Sequence, residues 1–260
     1  MDLGIAGRAA IICGSSRGLG RGCAEALADA GCTIVLNGLD PDRLEQTAAD
    51  FRARHGEERI LHVAADVTSA DGRAALLSVC PDPDILVTNA NGPPAADFRT
   101  LDHDALHSGL TAIMTGPIAL VQAVLDGMVA RGFGRIINIT SLSVLTPVDG
   151  LELSSGARAG LTAFFSSIAR QVVKHGVTIN HLLPGPFETD RMVALAGMMA
   201  KAGGITEEEA TERFLAPNPA GRMGTVEEFG AACAFLASAK AGYMTGQNLL
   251  LDGGQFRSNF

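Results

Sequence analysis

The sequence predicts a single α/β domain, spanning 1–260, built on a doubly wound, seven-stranded parallel sheet with helices on both faces. Three observations predict it. Short, continuously apolar runs recur along the chain, each followed by a helical stretch, the pattern of strands buried on both faces. A glycine-rich turn, "GSSRGLG" from Gly14 to Gly20, joins the first run to the first helix. A length of 260 residues, 47% of them hydrophobic, suffices for one core, and no repeat, linker or low-complexity tract divides it.

The elements follow in order. "RAAIIC" is the first strand, and "GRGCAEALADAG" the first helix. "CTIVLNG" is the second strand. The helix "DPDRLEQTAADFRARHG" has Asp40 as its N-cap, Pro41 at the first helical position and Gly56 as its stop. "RILHVAAD" and "DILVTNAN" are the third and fourth strands. A long helix is expected from Asp102 to Met128. "GRIINITS" is the fifth strand, and a helix from Leu153 to His175 leads to the sixth, "GVTINHLLPG". "NLLLDGG" is the seventh. One irregular insertion, at about 188–222, is rich in methionine and small residues. It reads either as a flap over a substrate site or as a pair of surface helices.

Composition narrows the function. A net charge of −8 disfavours a nucleic-acid partner. No apolar run reaches the ~18 to 20 residues of a membrane span, and "MDLGIAGRAAIIC" lacks the basic and apolar blocks of a signal peptide. A cytoplasmic protein with no membrane partner is expected. Cys13, Cys23, Cys32, Cys80 and Cys233 show no metal-ligand spacing, so they are expected to be reduced thiols, and no metal is expected. Tyr243 is the only tyrosine, so chemistry that needs a phenol must use it or do without.

The glycine turn is where function enters. Gly14, Gly18 and Gly20 let the backbone approach a pyrophosphate, and the helix N-terminus offers it oriented N–H groups. Further motifs follow: Asp66-Val67 after the third strand, "NAN" at Asn89–Asn91, "IINITS" ending in Ser141, "PGPFET" from Pro184 to Thr189, and "MTGQNLLLDGG" near the C-terminus. In this order they resemble the short-chain dehydrogenase/reductase family over almost the whole chain. The resemblance implies a Rossmann-type fold that binds NADP or NAD. It places Gly14, Ser16, Arg17, Gly18, Leu19 and Gly20 at the phosphates, and Asp66 and Val67 at the adenine. Asn89 and Ala90 stand where the family has Asn-Ala-Gly. Pro184, Gly185, Phe187 and Thr189 would hold the nicotinamide carboxamide. The family reads the ribose 2′ position at the end of the second strand. Here Gly38 and Leu39 supply neither its acid nor its arginine. Arg17 is the remaining cation, to be weighed against a plain solvated charge. With no acid to repel a 2′-phosphate, NADP is preferred over NAD.

The resemblance also implies a catalytic serine at Ser141. The family then keeps a tyrosine thirteen residues later and a lysine four after that. In this chain those positions hold Ser154 and Arg158, and the flanking "ARAGLTAF" keeps the register. Residues four apart share a helix face, so both should face one pocket. Ile113 stands where the family has an asparagine. A 3-oxoacyl-acyl-carrier-protein reductase-like branch resembles this chain in the Ser/Arg exchange, in "TNANGPP", in "LPGPFETDR" and in "GITEEEA".

Serine is a far weaker acid than a cation-assisted tyrosine, and arginine keeps the charge without being a practical proton source. Loss of a positioned acid typically costs a factor of ~10² to 10⁴. The expected function is an NAD(P)-dependent oxidoreductase acting on a small-molecule carbonyl or alcohol, with Ser141, Ser154 and Arg158 as its catalytic wall; Arg158 could also contact the nicotinamide ribose. A lyase or hydrolase on the same frame stays open, as does a catalytically silent nucleotide sensor. His181, His103, His107, Asp149, Glu152 and Tyr243 are the other proton-carrying groups considered. Of these, His181 reads better as a core residue, His103 and His107 as solvated, and Glu152 as the best of the rest. Helices apolar around much of their circumference, "TGPIALVQAVLDGMV" and "LTAFFSSIARQVV", predict a homotetramer or homodimer.

Overall fold

One sheet of seven strands, every neighbouring pair parallel, runs in the order β3-β2-β1-β4-β5-β6-β7. Its strands are β1 (Ala9–Ile12), β2 (Thr33–Gly38), β3 (Ile60–Ala64), β4 (Ile85–Thr88), β5 (Gly134–Ile139), β6 (Val177–Pro184) and β7 (Asn248–Leu251). The structure is a computed structural model and describes residues 2–258. Every residue of β4 and β5 is buried, which is why these strands show no alternation of exposed and buried positions, and the buried Arg135 and Asn138 of β5 are hydrogen-bonded.

Helices cover both faces. On one face α1 (Gly18–Asp29), α2 (Pro41–His55) and α9 (Val226–Ala237) close a core around Leu27, Leu36, Phe51 and Phe229. On the other, α3 (Ala70–Val79), α5 (Gly116–Arg131) and α6 (Glu152–Val172) close a second around Leu76, Val121, Met128 and Phe165. Local chemistry sets the ends. The Asp40 carboxylate accepts from Arg43 N at 3.1 Å, and Gly56 ends α2 at a φ of 94°. A Cβ on Gly230 would stand 2.2 Å from the Gly22 carbonyl oxygen, so α1 and α9 touch backbone to backbone. That contact fixes α1, whose N-terminus carries the glycine turn.

The structure differs from the sequence reading in three places. The helices α3 and α9 were not among the expected elements; both are short and alanine-rich, and their apolar periodicity is weak. The long helix is not regular: α4 (His103–Leu110) passes through a π turn at Thr111–Thr115 into α5. Pro117 has no N–H to donate to the Ile113 carbonyl, and a wider turn accommodates the gap. The run His103–Arg131 is also long and apolar enough to cross a membrane by length and composition, with an 18-residue window of mean hydropathy 1.6. Here it lies on the sheet, with Leu120, Val124 and Met128 in the core. The insertion forms two helices, α7 (Asp190–Gly203) and α8 (Glu207–Leu215), the second opened by a Thr206/Glu209 capping box.

The strand order reverses between β1 and β4. In a doubly wound sheet, a crevice opens there at the strands' C-terminal ends.

Candidate active site

The glycine turn closes that crevice at the end of β1. Gly14 and Gly18 have φ values of 59° and 55°, a region that disfavours side chains. A Cβ on Gly20 would stand 2.3 Å from the Gly14 carbonyl oxygen, so the turn is wound directly against the first turn of α1. Arg17, the N-cap of α1, makes no side-chain cap, which leaves the first-turn N–H groups to meet a ligand. Asn89 Nδ2 donates to the Gly14 carbonyl at 3.2 Å and ties β4 to the turn. Ser15 Oγ donates to the Ile12 carbonyl and accepts from Asn37 N, so the turn is also anchored to β2. At the end of β2, a Cβ on Gly38 would lie 3.2 Å from Ser16 Oγ, so a side chain there would crowd the glycine turn. Leu39 beside it is exposed. Asp66, also exposed, turns the chain after β3 by accepting from Thr68 N at 2.9 Å, with Val67 half-buried next to it.

The second cluster forms where β5 ends. Ser141 continues the strand in extended conformation, and its Oγ accepts from Ser143 N at 3.1 Å, which fixes the side chain. Ser154 and Arg158 lie one turn apart on α6, both buried. Arg158 Nε donates to Ser154 Oγ at 3.3 Å. Its Nη1 donates to the Ile139 and Thr140 carbonyls at 3.2 and 2.8 Å. A guanidinium therefore sits under the strand end that carries Ser141. The loop after β4 closes over it: a Cβ on Gly92 would stand 3.0 Å from Ser154 Oγ, 3.4 Å from Arg158 Nη2 and 3.8 Å from Ile113 Cδ1. Ile113 reaches this point from the π turn.

The other proton-carrying groups lie elsewhere. His181 is in the core, its ring tilted against that of Phe165, with Asn138 Nδ2 3.3 Å from its Nδ1. Its Nε2 has no hydrogen-bond partner among the described residues. Burial lowers its pKa to about 4, so it is neutral. Glu152 accepts from Gly150 N at 3.0 Å and shapes an exposed turn, and Asp149 is exposed. His103 and His107 stack on each other at the surface of α4. Tyr243 is fully exposed. The Phe187 ring is buried against Phe229, with ring centroids 5.1 Å apart. Only its backbone is left to face a cofactor, beside Pro184, Gly185 and Thr189 at the end of β6. The five cysteines are free and buried. Glu25, Asp29 and His55 gather on the surface of α1 and α2, but Arg54 pairs with Glu25 there and brings a competing charge.

A family model described as enoyl-(acyl carrier protein) reductase matches residues 14–255. Curated relatives span the full chain. The NADPH-dependent reductase BacG of Bacillus subtilis is 31% identical over 96% of this chain and 98% of its own length. The 3-oxoacyl-[acyl-carrier-protein] reductase FabG of Vibrio cholerae is 33% identical over 98% and 99%. Among solved structures, the L-sorbose reductase of Gluconobacter frateurii, complexed with NADPH and L-sorbose, superposes with a TM-score of 0.94 over 99% of this chain and 100% of its own, at 29% identity. The chain is a short-chain dehydrogenase/reductase.

Within the short-chain dehydrogenase/reductase frame, the crevice passes a physical test for a dinucleotide. Its donors are backbone N–H groups at a helix start, and the Gly20 approach leaves no volume for any other side chain. Of the predicted residues, the turn Gly14–Gly20 lies with Asn89, and Ser154 with Arg158 beside Ser141, while Asp66 and Val67 follow β3 and Pro184–Thr189 lie at the end of β6. Sequence reasoning missed Gly92, Ser15 and Asn37. Gly92 left one trace, a glycine displaced by one place from the family's Asn-Ala-Gly. The others hold the frame through tertiary contacts that no local pattern announces.

Proposed function

We propose that the chain is an NADP(H)-dependent reductase of a small-molecule carbonyl, working with Ser141, Ser154 and Arg158, with NAD(H) as the weaker cofactor. The observation that carries this reading is the buried Arg158 guanidinium, bonded to Ser154 and to the strand-end carbonyls next to Ser141. The NADPH-dependent relatives and the NADPH-bound L-sorbose reductase structure support the cofactor, as does the absence of an acid at Gly38. The turn Gly14–Gly20 would hold the pyrophosphate, Asp66 and Val67 the adenine, Asn89 and Ala90 the middle, and the Pro184–Thr189 backbone the nicotinamide end.

Bound NADPH supplies the hydride, and the side chains manage the oxygen that becomes negative. Ser141 orients that oxygen. Arg158 places a fixed positive charge near it in a water-poor site, where such stabilisation is strongest. Ser154 accepts from Arg158 Nε, which leaves its own O–H to donate and makes it a better donor. No side chain here is a strong acid, so the proton that completes the alcohol comes from solvent water, and slow turnover is expected.

The segment 188–222 is proposed as the substrate flap. Met192, Met199 and Phe214 within it, with Met223 just beyond it, line an apolar gap, and the methionines are adaptable side chains suited to covering an organic substrate. Buried free thiols fit a reducing compartment, and a two-fold homo-oligomer belongs to the same reading. The test is NADPH consumption followed by absorbance over a panel of ketones and aldehydes, with the alcohol product quantified. Cofactor binding with no consumption on any member would refute the reading.

A further inference from the structure

The flap starts against the cofactor loop. Asp190, the first residue of α7, places Oδ2 3.2 Å from Arg17 Nη1 and 3.9 Å from Arg43 Nη1. Arg17 immediately precedes α1. Arg43 lies in the first turn of α2, just past the end of β2, and also approaches Asp40 at 3.9 Å. One residue before Asp190, the Thr189 methyl lies 3.6 Å from where a Cβ on Gly18 would stand. Three segments distant in sequence thus meet at the rim of the crevice, beside Gly38. In a doubly wound sheet this rim is where the adenosine ribose is read. Two guanidiniums converging on one carboxylate oxygen is also the arrangement that binds a phosphate.

We infer that Asp190 stands in for the ribose 2′-phosphate between Arg17 and Arg43, and that NADP(H) displaces it, releasing the first turn of the flap. The inference rests on the reading of the chain as an NADP(H) enzyme. It adds a second arginine to cofactor selection and a link from cofactor to flap. NAD(H) carries a hydroxyl at that position, does not compete for the arginines and leaves Asp190 in place. The exchange is close to balanced, because the three side chains are 53%, 44% and 70% exposed, and exposed ion pairs are weak. Near-balance is what lets a ligand move the latch.

The test titrates the full chain with NADP⁺ and with NAD⁺ by calorimetry. Asp190→Asn removes the competing charge. It is expected to tighten NADP⁺ by about three- to fivefold and to leave NAD⁺ unchanged. In an Arg17→Ala/Arg43→Ala background the same substitution is expected to do nothing to either. A second readout is tryptic cleavage after the exposed Lys201 in α7. It should be faster with 2′,5′-ADP than with 5′-AMP, and equal with the two in Asp190→Asn. Equal effects of Asp190→Asn on both dinucleotides, or none on either, overturn the inference, and so does cleavage indifferent to the 2′-phosphate in the unaltered chain. If the unaltered chain binds neither dinucleotide, the proposed function falls as well; if it binds NADP⁺ and ignores Asp190→Asn, only the latch falls.

Discussion

Replacing Arg158 with alanine deletes a buried guanidinium and its hydrogen bonds to Ser154, Ile139 and Thr140 at once. Turnover should fall by about 10²-fold or more, the usual cost of losing a fixed donor at a developing charge. Stability should also fall, by about 1–3 kcal/mol, for the orphaned carbonyls. Arg158→Lys should cost nearly as much turnover, because one ammonium cannot serve Ser154 and two carbonyls in a fork. Turnover unchanged in Arg158→Lys would reduce the side chain to a bare charge. His181 gives a separate test. Its folded pKa of about 4 lies below the ordinary 6.5. Between those values the unfolded chain binds a proton that the folded chain does not. Stability should therefore drop as pH falls from above 6.5 towards 4 and level off below, by about 3 kcal/mol in all. His181→Gln, which keeps an acceptor for Asn138, should flatten that slope in denaturant titrations. At this scale the sequence revealed the pairing of Ser154 with Arg158, because four-residue spacing puts both on one helix face. It did not reveal what Arg158 holds, since Ile139 and Thr140 belong to a strand that only folding brings near.

Elements place these residues, and their close approaches are the points to strain. Gly20→Ala would put a methyl 2.3 Å from the Gly14 carbonyl oxygen. The turn must open, and NADPH affinity should fall by more than about tenfold, roughly 1.4 kcal/mol, as read by cofactor fluorescence. Full affinity in this variant would mean that the turn does not cradle the pyrophosphate. The sequence foretold the seven strands because a doubly covered parallel sheet demands unbroken apolar runs. It foretold α2 through its cap, proline and glycine. It missed the π turn, whose cause is Pro117 acting within an otherwise good helical pattern. It also missed α3 and α9, whose small residues pack closely without an amphipathic stripe. Gly92 escaped notice because its importance is a contact across the site, from the loop after β4 to α6.

For the molecule as a whole, the apolar residues left at the surface bear on assembly. Leu106 and Leu110 on α4 and Phe164 on α6 are each about 40% exposed, more apolar surface than a solvated helix needs. A two-fold homo-oligomer is expected in sedimentation, and Phe164→Asp should shift it towards smaller species. A monomeric unaltered chain at micromolar concentration would refute this. The central claim is that Ser154 and Arg158 form a working site and not the remains of one. A Cβ on Gly92 would already stand 3.0 Å from Ser154 Oγ, so the loop after β4 packs close to the small residue at position 154. The most direct measurement compares NADPH consumption, with product quantified, by the unaltered chain and by Ser154→Tyr/Arg158→Lys over one carbonyl panel. The unaltered chain should reduce a substrate that the double variant handles at least about tenfold more slowly. Reduction by the double variant alone, with the unaltered chain silent on every member, would contradict the claim.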